Sequence, residues 1–127
     1  MADSKIVVFQ DKQIRRAWMN EQWYFSIADV VEFLTDSVDV KQYIKRMRQR
    51  DPLLNRNWGT ICTPVAMIAA DGRRRSVQAA DVKGLFRIIQ SIPSPKAEPF
   101  KQWLAQVGYE RVQEIENPEL AQERMKA

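Results

Sequence analysis

The chain has 127 residues and a net charge of +4, with 45% hydrophobic and 28% charged residues, the balance of one soluble globular domain with its own core. It has no histidine and one cysteine, Cys62, which excludes a Ser-His-Asp or Cys-His catalytic device, an intrachain disulfide and a thiolate zinc site. No apolar run approaches the roughly 18 residues of a membrane helix, and the opening MADSKIVVFQ lacks the layout of a signal peptide.

Taken in chain order, Lys5–Gln10 reads as a strand with Val7 and Phe9 on one side, followed by a turn at Asp11-Lys12. Gln13–Met19 returns, and Trp23–Phe25 follows after Asn20-Glu21-Gln22, giving a small antiparallel meander rich in β-branched and aromatic residues. Ser26 opens a helix, with Asp29 completing a variant capping box. Ile27, Val30, Val31 and Leu34 then repeat at helical spacing on one buried face. Asp36 or Ser37 caps the next helix, from Val38 to about Arg50, and Asp51-Pro52 ends it because the residue before proline avoids the helical region.

A second hairpin is expected where Val65–Ala69 and Ser76–Ala79 flank Asp71-Gly72, a favoured two-residue turn. Asp81–Ile92 reads as a helix with Val82, Leu85, Phe86, Ile89 and Ile92 on one face. Ser94-Pro95 is a plausible cap and first helical residue, and Pro99 sits either late in that first turn or at a restart. Phe100, Trp103, Leu104 and Val107 form another buried stripe, with Gly108 as the stop, and Asn117-Pro118-Glu119 starts a last helix. That last helix carries no stop signal, which suggests a continuation into a further C-terminal region. The expected fold is α+β, a small antiparallel sheet with hairpins packed against several helices, as one domain over 1–108 and a helical extension over 109–127.

Charge is unevenly distributed. Residues 1–40 carry net −3, residues 41–92 carry 11 basic and 3 acidic side chains for net +8, and residues 93–127 carry net −1. Segregation of this kind attracts polyanions. On a helical wheel Val40, Tyr43, Ile44 and Met47 gather on the core side. Lys41, Lys45 and Arg48 form a stripe beside them, with Arg46 and Arg50 on the other flank. Like charges so arranged destabilise a helix by a few tenths of a kcal/mol per pair, a cost that a polyanionic partner removes. A merely solvated face is the bland alternative, since Lys and Arg are good helix formers. A second cluster, Arg73, Arg74 and Arg75, follows the Asp71-Gly72 turn, and a hairpin tip and a helix can together span a phosphate backbone. For the tip, the bland alternative is a polar turn that blunts an edge strand. Trp18, Trp23, Tyr24 and Phe25 read as sheet core rather than base-stacking surfaces, and Cys62 as a small buried hydrophobe.

From GLFRIIQSIPSPKAEPFKQWLA (84–105) the chain resembles the Bro-N family, the N-terminal domain of phage antirepressors and baculovirus BRO proteins, in a prophage and bacterial branch. The resemblance spans about Val8 to Val107. It includes FQDKQIRRAWMNEQWYFSIADVVEFL, WGTICT, the basic hairpin and SPKAEPFKQWLAQVG, and departs from the family at KQYIKRMRQRDP, where many members have a shorter loop. It implies a compact α+β module joined to a variable C-terminal domain, DNA binding or inactivation of a phage repressor, and no catalytic residues. The expectation is therefore a non-enzymatic, cytoplasmic module without cofactor or metal that binds DNA, with double-stranded DNA as the favoured form. Its contacts would be Lys41, Lys45, Arg46, Arg48, Arg50, Arg73, Arg74 and Arg75. The alternative is a protein-interaction module that binds a phage repressor without touching DNA. Oligomeric state is not legible.

Overall fold

A computed structural model of the chain describes residues 3–9, 12–69 and 71–107, with side chains in the first strand from Val8 onward. The turn residue Asp11, the Gly108 stop, the helix at 117–119 and the extension over 109–127 lie outside the described residues. Strands β1 (Asp3–Phe9), β2 (Lys12–Met19) and β3 (Gln22–Ser26) form the expected antiparallel meander. Register runs through Val7↔Ile14 and Trp18↔Trp23. The β2–β3 turn uses Asn20 and Glu21, both left-handed at φ 54° and 63°. That geometry matches the twist of a two-residue hairpin and is usually given to glycine. Trp18 and Trp23 flank it edge to face, ring centroids 5.4 Å apart, and aromatic contact holds the turn closed.

Side chains alternate across the meander, so its two faces build two cores. Ile14, Trp23 and Phe25 face the larger one, together with buried residues of α1 (Ile27–Thr35), α5 (Val82–Gln90) and α6 (Ala97–Val107). Phe9 joins here, its ring centroid 5.2 Å from Phe33, 5.8 Å from Phe100 and 5.0 Å from Trp103. Ala17 and Tyr24 face the other way, into a smaller core with Val65, Met67 and Ala79. Those three belong to β4 (Thr63–Ile68) and β5 (Arg74–Ala80).

Strand order is β1-β2-β3-β5-β4, all antiparallel, yet β5 pairs with β3 only through Phe25↔Ala80 and Ser26↔Ala79. Beyond that short junction the β4–β5 hairpin folds back as an arm over the face of the meander opposite the helices. Arg15 fastens the arm, donating from Nη1 to the Ile68 carbonyl at 3.2 Å. The arm's loop closes from Ala69 N–H to Arg73 C=O at 2.8 Å, with Gly72 left-handed at φ 82°. The loop is thus longer than the two-residue turn expected, because the left-handed residue follows the turn instead of forming its centre.

Helix α1 starts as expected, with Ser26 Oγ accepting from Asp29 N–H at 3.3 Å. The Asp29 carboxylate does not return the bond. It takes a forked pair from Arg15, Nε at 2.8 Å and Nη2 at 2.9 Å, which ties the helix to β2. Asp36 ends α1 rather than capping the next helix: it is left-handed at φ 53° and its carboxylate accepts from Lys96 Nζ at 2.7 Å. The cap of α2 (Val40–Arg50) is Asp39, which accepts from Gln42 N–H at 3.0 Å, and Val38 stands wholly exposed before it. Asp51 ends α2 and, with Pro52 in the first position, opens α3 (Pro52–Arg56); α4 (Trp58–Ile61) follows. These two short helices carry too few residues for a periodic signal. Ala97 begins α6, so Pro99 lies in its first turn, where a missing N–H breaks no helical bond. Buried Arg16 holds the far end of α6 to the sheet, stacking 3.9 Å from the Trp23 ring and donating to the Val107 carbonyl at 3.2 Å.

Candidate nucleic-acid interface

The helix α2 reads VKQYIKRMRQR, five cations and no acid. Its rotation is fixed by burial. Met47 is fully enclosed, and Val40, Tyr43 and Ile44 pack half-buried against the larger core. The cations are consequently held on the remaining surface. Lys41, Lys45 and Arg48 fall along one edge, where with Ile44, Gln49 and Asn55 they line an open groove of about 250 Å³ between α2 and α3. Lys41 and Lys45 are exposed.

Arg48 is positioned by two contacts. Its Nε donates to Asn55 Oδ1 at 2.8 Å and its guanidinium lies 5.0 Å from the Trp58 ring centre. Neither contact is with a carboxylate, so the full positive charge remains available while the side chain is already ordered. Arg46 is exposed on the other flank. Arg50, on that same flank, donates from Nη2 to the Ser91 carbonyl at 2.5 Å and to the Tyr43 hydroxyl at 3.4 Å. That contact places a cation at the C-terminal end of α5, where it complements the helix dipole.

Among the described residues none of the five α2 cations is in an ion pair. Five of the described acids are engaged elsewhere: Arg15 pairs with Asp29, Arg75 with Asp71, Arg87 with Asp51, Lys96 with Asp36 and Lys101 with Glu98, while Asp39 caps the start of α2. Asp51, the acid directly following α2, is turned inward. Its carboxyl is held down to about 2 by the Ser91 hydroxyl first, then by the Leu54 amide and the Arg87 guanidinium. A stripe of cations without local neutralisation is the arrangement that attracts a polyanion and releases its counterions.

The second basic stretch lies elsewhere. Arg73, Arg74 and Arg75 are exposed at the end of the β4–β5 arm. Arg75 reaches Asp71 at 2.5 Å, and that contact, with the Arg73 backbone N–H, holds the Asp71 carboxyl below the usual range. Among the described residues no hydrogen bond or ion pair joins these arginines to α2. The arm covers the sheet face opposite the helical layer, so the expected single patch separates into a groove and an arm. Asn55 and Gln49 were not legible as groove residues, because α3 was not expected. The Asp51-Pro52 pair carried the available signal, an N-cap followed by a proline in the first helical position.

The remaining sequence candidates settle into structure. Trp23, Tyr24 and Phe25 are buried and Trp18 packs against the larger core. Cys62 is half-buried, and desolvation pushes its thiol up to about 11. No helix among the described residues is long and apolar enough to cross a membrane. In comparisons with known proteins, the BRO family, N-terminal domain, matches residues 13–110. No curated protein and no solved structure matches the chain. The family match covers β2 through α6 and takes in both the groove and the arm, and the chain therefore belongs to the BRO family through its N-terminal domain.

Proposed function

We propose that the domain is the DNA-binding module of a phage antirepressor-like transcriptional regulator acting in the cytoplasm, and that it binds rather than catalyses. The observation that carries this reading is the α2–α3 groove, where Lys41, Lys45 and Arg48 stand unneutralised and Arg48 is pre-ordered by Asn55 and Trp58. Lys41 and Lys45 are point charges on flexible stems, suited to phosphates at variable positions. Arg48 presents a planar fork. Arg46 and Arg50 would add flanking contacts.

Contacts of this kind position a protein on a duplex without reading its sequence. The test is fluorescence anisotropy of a random-sequence duplex, titrated at low and at physiological salt. Measurable binding at low salt that weakens steeply as salt rises supports the reading; no binding at low salt overturns it.

A repressor-binding role is the second reading. Val38 favours it, a wholly exposed apolar side chain at the lip of a cleft of about 400 Å³ that is also lined by Lys12, Glu32, Asp36, Ser37 and Val40. Mixed charge around an apolar anchor suits a protein surface better than a polyanion.

A further inference from the structure

We infer that the domain holds two duplex segments at once, one in the α2–α3 groove and a second on the β4–β5 arm, and so bridges DNA. The inference rests on the groove reading and adds a second, separate site.

Its basis is the alternation of side chains in the meander. Trp23 and Phe25 point to the core on which α2 packs, and Tyr24 points to the core that the arm covers. Groove and arm are therefore separated by the sheet and the helices packed on it. Packed layers lie about 10 Å apart, so the thickness of at least one such layer stands between the two sets of cations. A duplex is stiff over about 150 base pairs, so a short one lying in the groove cannot curl round to reach the arm.

The arm is equipped for its own contact. Arg75 is occupied by Asp71, but the Arg73 and Arg74 side chains are exposed and have no hydrogen bond or ion pair among the described residues. Their positions are fixed by the loop closure between Ala69 and Arg73 and by the Arg15 bond to Ile68. Arginines projecting from a fastened two-stranded arm suit backbone phosphates, which the planar guanidinium can engage in bidentate fashion.

The test is a capture assay with the 127-residue chain. One duplex of about 16 base pairs, far below the bending length, is fixed to beads and a fluorescent copy is supplied in solution. The wild-type protein should retain the fluorescent duplex. R73A/R74A should lose most of that retention and about −1.8 of its log–log salt slope, two phosphate contacts at about −0.9 each, while binding to a single duplex at trace concentration stays nearly unchanged. Both residues are exposed, so the variant should melt as the wild type does.

Two outcomes overturn the inference and leave the groove reading standing. In one, the wild type binds duplex but retains none of the second. In the other, R73A/R74A bridges as well as the wild type, as a dimer joining two grooves would. A wild-type chain that binds no duplex at all removes the groove reading and this inference with it.

Discussion

The triple variant K41A/K45A/R48A tests the groove most directly. Each phosphate neutralised by a cation contributes about −0.9 to the slope of log affinity against log salt. Three unpaired groove cations therefore contribute about −2.7 to the slope, and raising salt from about 50 to about 200 mM should weaken wild-type binding at least about 40-fold. The variant should lose that share of the dependence and keep only the shallower one left by the flanking Arg46 and Arg50 and by the arm. Its fold should survive. Lys41 and Lys45 are exposed, and removing like charges spaced by one helical turn relieves a few tenths of a kcal/mol per pair, against the loss of one bond from Arg48 to Asn55. Melting temperature checks this, and anisotropy across a salt series measures the slope. R48K is the control: it keeps the charge but gives up the Asn55 bond and the Trp58 stack, so its slope should stay near the wild-type value while affinity drops modestly. Unchanged affinity and slope in the triple variant would refute the assignment of α2.

Asp51 should give the fold an acid limb. Its folded carboxyl sits at about 2 against an ordinary 3.8, so its stabilisation is complete above 3.8 and is lost as pH falls from there toward 2. D51N should flatten that part of a denaturation-midpoint series, leaving the smaller contributions of Asp36 and Asp71, whose carboxyls are lowered by Lys96 and Arg75. Leu54 is fully enclosed on α3, so L54A should cost about 2–5 kcal/mol by urea unfolding and loosen the helix that carries Asn55. Gly72→Ala meets no atom within 4 Å but must adopt φ +82°, so it should cost about 1–2 kcal/mol through backbone strain alone, read as a lower melting temperature. Cys62, with its thiol near 11, should be about one part in a thousand thiolate at pH 8 and react far more slowly with iodoacetamide than a free cysteine; labelling at the rate of a model thiol would refute this.

Elements whose evidence is local and periodic can be read directly from the residues. The β2–β3 meander, the buried face of α1, the core side of α2, α5 and the stripe of α6 all follow from side-chain spacing, because 2-residue and 3.6-residue repeats bury one face whatever lies opposite. The Ser26 cap and the stop at Asp51-Pro52 were legible for the same reason. So was the lack of any acid within α2, which marks Lys41, Lys45 and Arg48 by composition alone.

Tertiary structure decided what depends on partners distant in the chain. The local sequence offered Asp36 or Ser37 as the cap of α2; Lys96, 60 residues away, took Asp36, and Asp39, not among those two, opens the helix. The Asp29 carboxylate, placed to accept a capping bond at the start of its own helix, accepts instead from Arg15 of β2. The short α3, which brings Asn55 to Arg48, exists through the burial of Leu54 more than through any repeat of its own. The largest such decision is the two-residue junction between β3 and β5, which lets the arm fold onto the far face of the sheet. A linear sequence lists the arginines of α2 and of the arm as neighbours in one basic stretch. Only the folding of a sheet, which forces alternate side chains to opposite sides, sends them apart.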